Sequence, residues 1–332
     1  MHNLLKNIPA LRRTVQCCFL IWVIGIGIRF GMFVHAVENG TVPLVSRPPG
    51  VEGFLPIGAL TSLKYWLSTG IIHPVHPAAL IIFLAILLMS LLAKKSFCSW
   101  LCPVGTLSEI THNGGRRLFG RNFRIWRWLD YALRGLKYLL LALFIKLILL
   151  DMPTEALAGF MNAPYWAVSD IKMLHFFTSM SMTAMLILAL LTGLSLVYKN
   201  FWCRYLCPYG ALLGLASLFS PFKIRRNETG CTDCRSCSSA CPSALPVHSR
   251  HTVHSVECTG CLTCVARCPK EGVLQMQLPL WKQSLPVWLF PVVALLIFAA
   301  VIGVGMAGHH WHSSLTLADY QHLIPMLPNL SH

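Results

Sequence analysis

The sequence predicts an all-α integral membrane protein of about five transmembrane helices in two tandem repeats, with a small cysteine-rich α+β module outside the bilayer. Three observations carry this expectation. Of the 332 residues, 55% are hydrophobic and only 12% charged, about half the roughly 25% of an ordinary soluble domain. Five stretches are apolar and long enough to cross a hydrocarbon core about 30 Å thick. Twelve of the fourteen cysteines fall into tight, repeated spacings, which indicates metal or cluster ligation rather than a disulfide framework.

The expected spans are residues 14–37, 76–93, 134–151, 178–198 and 284–307. The first follows Lys6, Arg12 and Arg13 and ends near Val34, His35 and Ala36, the outline of a secretory leader. Its apolar run is longer than a leader's and contains Arg29, so it is assigned as a helix. Segments 54–72 and 156–176 are apolar but broken by Pro56, Lys64, Pro164 and Asp170, and are expected to be interfacial or re-entrant. Residues 1–13, 94–134 and 199–283 hold 21 Lys and Arg, whereas 38–75, 152–177 and 308–332 hold 3. That bias predicts a multi-pass protein of the bacterial inner membrane, with the N-terminus and cysteine-rich segment cytoplasmic and the C-terminus periplasmic. It also keeps the thiols in a reducing compartment. The formal charge of +15 is therefore a topology signal, and no nucleic-acid partner is expected, since the basic residues flank spans instead of forming a soluble basic domain. The basic and aromatic run from Arg116 to Lys137 is expected to lie on anionic membrane lipid.

An internal repeat organises the membrane part. Cys98-Ser-Trp-Leu-Cys102-Pro103-Val-Gly105 recurs as Cys203-Arg-Tyr-Leu-Cys207-Pro208-Tyr-Gly210, 105 residues on. Each copy follows an even-numbered span and a basic residue, Lys94 and Lys95 or Lys199. Both copies emerge on the same side, so the halves are parallel repeats. The expected domains are 1–133 and 134–222 (the two repeats), 223–283 (the cysteine-rich module) and 284–332 (a fifth span and external tail).

Cys231, Cys234, Cys237, Cys241 and Pro242, then Cys258, Cys261, Cys264, Cys268 and Pro269, both have the C-x2-C-x2-C-x3-C-P spacing of bacterial 2[4Fe–4S] ferredoxins. In that arrangement three thiolates hold one cluster and the fourth reaches across to the other. The expected ligands are Cys231, Cys234, Cys237 and Cys268 for cluster 1, and Cys258, Cys261, Cys264 and Cys241 for cluster 2. Zinc would need one four-ligand set per ion, usually as separated pairs. The repeat cysteines Cys98, Cys102, Cys203 and Cys207 reproduce only the closing C-x3-C-P. Together they could supply a third cluster, a redox-active thiol pair or disulfide, or a soft metal site such as Cu(I). Mere packing would not require the recurring Pro and Gly. Cys17 and Cys18 lack such context and are expected to be ordinary apolar residues.

On these residues, Cys98 to Pro103, Cys203 to Pro208 and Cys231 to Pro269, the chain resembles the membrane-bound polyferredoxins associated with periplasmic nitrate reductase (NapH), methylamine utilisation (MauN) and the C-terminal half of the nitrous oxide reductase regulator (NosR). The resemblance covers roughly residues 14–280. It implies an inner-membrane iron–sulfur electron carrier, or a quinol dehydrogenase subunit, connecting the quinone pool to a redox partner. The span at 284–307 and the tail beyond it depart from the four-helix nitrate-reductase type. Two alternatives use the same clusters: a metallocentre-maturation or metal-reducing factor, and a redox-sensing regulator.

Arg29 lies inside the first span, where an ionised side chain marks a candidate functional site. Glu52, in the Pro- and Gly-rich segment 46–58, is a candidate proton acceptor. The two are expected to border a quinone. His73, His76, His175, His309, His310 and His312 form no matched pair on two clear spans, so haem is not expected.

Overall fold

The computed structural model describes residues 2–120, 123, 125–278, 286 and 288–327. They divide into two compact units built from interleaved stretches of chain. The first takes Met1–Ile21, Ile86–Leu141 and Ala189–Ala299, and the second takes Trp22–Ala85, Ala142–Leu188 and Ala300–His332.

Among the described residues, two helices are long and apolar enough to cross a membrane, Asn7–Glu38 and Leu289–Ala307. The other three expected spans differ from straight crossings. Pro77–Leu92 has only 16 residues, about 24 Å of helix, because the chain turns at Lys94 with a left-handed φ of 60°. Arg127–Phe144 passes into wider π-helical turns at Ile145–Asp151. Met182–Val197 has 16 residues, and the 76° bend that separates it from Ser169–Thr178 falls at the break expected between segment 156–176 and the span at 178–198. The expected start of the fifth span at 284, and the end of the cysteine-rich module at 279–283, lie outside the described residues, as do Arg121 and Arg124 of the basic run.

The first unit contains the α+β module. Strands β1 (Lys223–Arg226), β2 (Thr252–Val253) and β3 (Leu274–Gln277) form an antiparallel sheet in the order β2-β1-β3. Alternation explains its sidedness: Ile224 pairs with Val253 and Met276, and these three with Leu274 are buried, while Gln275 and Gln277 are only half-buried. The strands bracket the motifs, with Cys231 to Cys241 between β1 and β2 and Cys258 to Cys268 between β2 and β3. Each loop is thus tied at both ends.

In the second unit, Phe30, Phe33, Val34 and Val37 of the first helix pack with Val168, Ile171 and Tyr320. The 3.6-residue period places these four on one helix face. Segment 54–72 folds as a helix over Pro56–Thr69, ended by Gly70 at φ 73°. Segment 156–176 falls within three short helices, Thr154–Asn162, Pro164–Ala167 and Ser169–Thr178. The tail is folded too: Thr316 and Asp319 form a capping box that starts the helix Leu317–Leu323.

Candidate functional site

The two ferredoxin-type loops share one backbone device. In each, the residues before and after the second cysteine are left-handed: Asp233 (φ 48°) and Arg235 (φ 56°) around Cys234, Gly260 (φ 62°) and Leu262 (φ 58°) around Cys261. Three of these four are not glycine, so the conformation costs energy and must be held by its surroundings. Such turns aim successive N–H groups into a concavity that suits an anion, including iron–sulfur sites. One cavity is lined by Cys231, Cys234, Cys237 and Cys268. A second is lined by Cys241, Cys258, Cys261 and Cys264. Their surroundings differ: all four cysteines of the second set are buried, whereas Cys234 of the first is exposed and its companions are half-buried. Among the described residues, no three His, Cys, Asp or Glu side chains close on one point as ligands of a single ion would. The ligands of a cubane instead stand at its corners.

The repeated C-x3-C-P segments also fold alike. Cys102 and Cys207 each cap a helix that begins at the next proline, and each sulfur accepts an N–H, from Gly105 at 3.5 Å and Gly210 at 3.2 Å. Gly105 is required sterically, because a Cβ there would sit 2.4 Å from the Cys98 carbonyl oxygen. The four thiols are within electrostatic reach of one another: Cys98 of Cys102 and Cys207, and Cys102 of Cys203 and Cys207. Withdrawal from water pushes the Cys98, Cys102 and Cys203 thiols up to about 12, and adjacent thiols reinforce this. Thiols so placed stay protonated unless a cationic centre replaces the proton. Lys95, 4% exposed, is within electrostatic reach of Cys98, Glu257, Cys207 and Cys203.

Both segments are bonded to the second ferredoxin-type site. From the first repeat, Ser99 Oγ donates to the Thr259 carbonyl at 2.8 Å, and Trp100 Nε1 donates to that of Gly260 at 3.3 Å. From the second repeat, Arg204 donates to the Ser243 carbonyl at 3.0 Å. Arg204 is itself held by Asp130 through two 2.9 Å bonds, and Tyr205 donates to the same carboxylate at 2.5 Å. Burial alone would raise the Asp130 pKa, but these bonds outweigh it and hold the carboxyl at about 2. Lys199 donates to the Cys241 carbonyl at 3.1 Å, and the buried Lys94 lies beside Cys258. Lys94, Lys95 and Lys199 read as topology markers in the sequence, and their closeness to the cysteines was the signal that could have singled them out.

The second unit shows what surrounds Glu52 and Arg29, the expected quinone-bordering pair. Glu52 is fully buried and already engaged: Arg47 donates to it at 2.9 Å, the Ala79 amide at 2.9 Å, and His76 lies 3.4 Å away. Arg47 also binds Asp170 at 2.7 Å. Arg29 is exposed on the first helix, and among the described ion pairs Glu52 is joined to Arg47, not to Arg29. The charge cluster is therefore Arg47, Glu52, Asp170 and His76. Of the other histidines, His175 pairs with Glu38 at 2.9 Å and His73 packs edge-on against Tyr65. Cys17 and Cys18 are exposed.

A model described as a 4Fe–4S binding domain matches residues 75–125 and again 180–227, the two starts 105 residues apart like the repeated cysteines. A 4Fe–4S dicluster domain model matches residues 223–270. YccM of Escherichia coli, named as a candidate electron transport protein, is 46% identical over 98% of this chain and 93% of its own length. NirI of Paracoccus denitrificans is 28% identical over 71% of the chain and 36% of its own length. The ferredoxin-type protein NapH of Escherichia coli is 27% identical over 47% of the chain and 50% of its own. No solved structure matches.

Proposed function

Because the chain belongs to the membrane-bound polyferredoxin family of iron–sulfur electron-transfer proteins, we propose that it relays electrons between a membrane partner, the quinone pool, and a second redox protein, through three centres in series. Each [4Fe–4S] group, when bound, takes up and releases one electron at a time. Cys231, Cys234, Cys237 and Cys268 hold the exposed centre. Cys258, Cys261, Cys264 and Cys241 hold the buried one. Cys98, Cys102, Cys203 and Cys207 hold the third. The observation that carries the reading is the pair of hydrogen bonds from Ser99 and Trp100, within the first C-x3-C-P segment, to the carbonyls of Thr259 and Gly260 between two ligands of the buried centre.

The chain's own residues set the conditions for transfer. The amides of Gly105 and Gly210 donate to ligand sulfurs, which favours the reduced, more negative state. Lys95 beside three of the four thiols acts in the same direction, and Lys94 and Lys199 do so at the buried centre. The five apolar stretches support five crossings, and the charge distribution supports a cytoplasmic N-terminus and ferredoxin loops with a periplasmic C-terminus. Arg29, on the apolar stretch of the first helix, is the proposed contact of the membrane partner.

The experiment is anaerobic purification in nanodiscs followed by mixing with a short-chain quinol and, after reduction by a neutral donor, with the corresponding quinone. Electron exchange appears as gain or loss of the reduced-cluster EPR signals. If no quinol or quinone alters those signals in either direction while a soluble ferredoxin or flavodoxin does, the quinone assignment is wrong.

A further inference from the structure

We infer that the cleft beside Cys268 is the docking site of a small, acidic, one-electron carrier protein, an inference that rests on the electron-transfer reading above. The cleft has a volume of about 800 Å³. The first long helix and the helix Pro103–Phe119 contribute one side, and the two cysteine loops contribute the other. Six basic side chains line it, Arg12, Arg13, Arg116, Lys199, Arg267 and Lys270, against Glu109 and Glu271. Glu109 is already bound by Arg12 and Gln16. Arg13, Arg116, Arg267 and Lys270 are exposed, so their charge faces whatever approaches. A concave surface of one sign concentrates partners of the other sign and speeds their encounter.

Position supplies the second argument. Cys268, Pro269, Lys270 and Leu274 line both this cleft and the cavity of the first cysteine set. A carrier in the cleft is therefore separated from the exposed centre by a single stretch of backbone, Cys268–Lys270. Redox encounters use small, weak, steered interfaces, and a basic mouth at the exposed centre is such a surface. An anionic lipid would meet the same charges, but its acyl chains need apolar walls. Among the described lining residues, Val265 and Leu274 are the only large aliphatic side chains.

The test uses the full chain in phosphatidylcholine nanodiscs and two probes, an acidic flavodoxin and basic cytochrome c. Binding is measured across a salt series, independently of cluster reduction. Flavodoxin binds and weakens with salt, and the triple variant Arg13→Glu/Arg116→Glu/Arg267→Glu weakens it about tenfold or more. Reversal at Arg117 and Arg250, which do not line the cleft, leaves it within about twofold. Iron content and reduction by a neutral small donor stay as in the wild type, which shows that the triple variant is folded. Equal flavodoxin binding by the triple variant and wild type overturns the proposal, as does preference for cytochrome c. So does loss of flavodoxin binding on replacing part of the phosphatidylcholine with phosphatidylglycerol, which identifies the cleft as a lipid site. If flavodoxin binds as expected but the neutral donor reduces no cluster, the docking surface stands and the electron-transfer reading falls.

Discussion

Replacing Cys98 and Cys203 together with serine lowers the iron and sulfide of the anaerobically purified protein from about twelve to about eight of each per chain, because one four-thiolate site of three is lost. The ferredoxin-type EPR signals persist. The substitutions remove one thiolate from each repeat and leave both helix-capping sulfurs, on Cys102 and Cys207, with their glycine N–H donors. Serine is close to cysteine in size, so the segments keep their folds and their bonds to Thr259, Gly260 and Ser243. The other eight cysteines line separate cavities and are untouched. A wild type with about eight irons, unchanged in the variant, would make the four thiols a redox pair or packing feature. About ten would indicate a [2Fe–2S] group.

Arg47→Met lowers the thermal unfolding temperature sharply, with a cost of about 3–5 kcal/mol, the usual penalty for stranding one side of a buried ion pair. The guanidinium is the shared partner of two carboxylates with no exposed surface, Glu52 and Asp170. Removing it leaves two buried carboxylates whose remaining described partners include the Ala79 and Ile171 amides and His76. Neutralising the carboxylates as well, in Arg47→Met/Glu52→Gln/Asp170→Asn, recovers a large part of the loss, since desolvated charge rather than lost packing is the cause. Differential scanning calorimetry in detergent measures both. An unchanged unfolding temperature for Arg47→Met would mean that the cluster is hydrated and carries no structural burden.

How much of this could be read in advance depended on whether the governing interaction is local. Cluster loops are local: eight cysteines and two prolines at fixed spacing define two loops, and the cavities collect the same two sets of four thiols that the crossed pattern assigns. The repeat was legible because its cysteines, prolines and glycines recur at one offset. Span shape was less so. Apolar content over 76–93 does not reveal the left-handed turn at Lys94, nor that over 134–151 the π-helical turns at Ile145–Asp151, whereas the 76° bend between Ser169–Thr178 and Met182–Val197 falls at the break expected between segment 156–176 and the span at 178–198. Long-range charge pairing was hidden altogether. Arg47 and Asp170 are 123 residues apart, so nothing near Glu52 in the sequence showed that Arg47 joins it to Asp170 or that the Ala79 amide donates to it. The lysines were visible but carried two meanings, since a cation at the end of an apolar run marks topology whether or not it also neutralises a thiolate.

The most direct test of electron relay through the C-x3-C-P thiols is freeze-quench EPR of nanodisc-embedded protein, first reduced by a neutral donor and then mixed with a short-chain quinone. In the wild type the ferredoxin-type signals decay as electrons leave through the four-thiol site. In Cys98→Ser/Cys203→Ser the same signals form on reduction and then persist through the time course, because their exit is missing. Decay at the wild-type rate in the variant would contradict the relay and leave the C-x3-C-P cysteines outside the electron path.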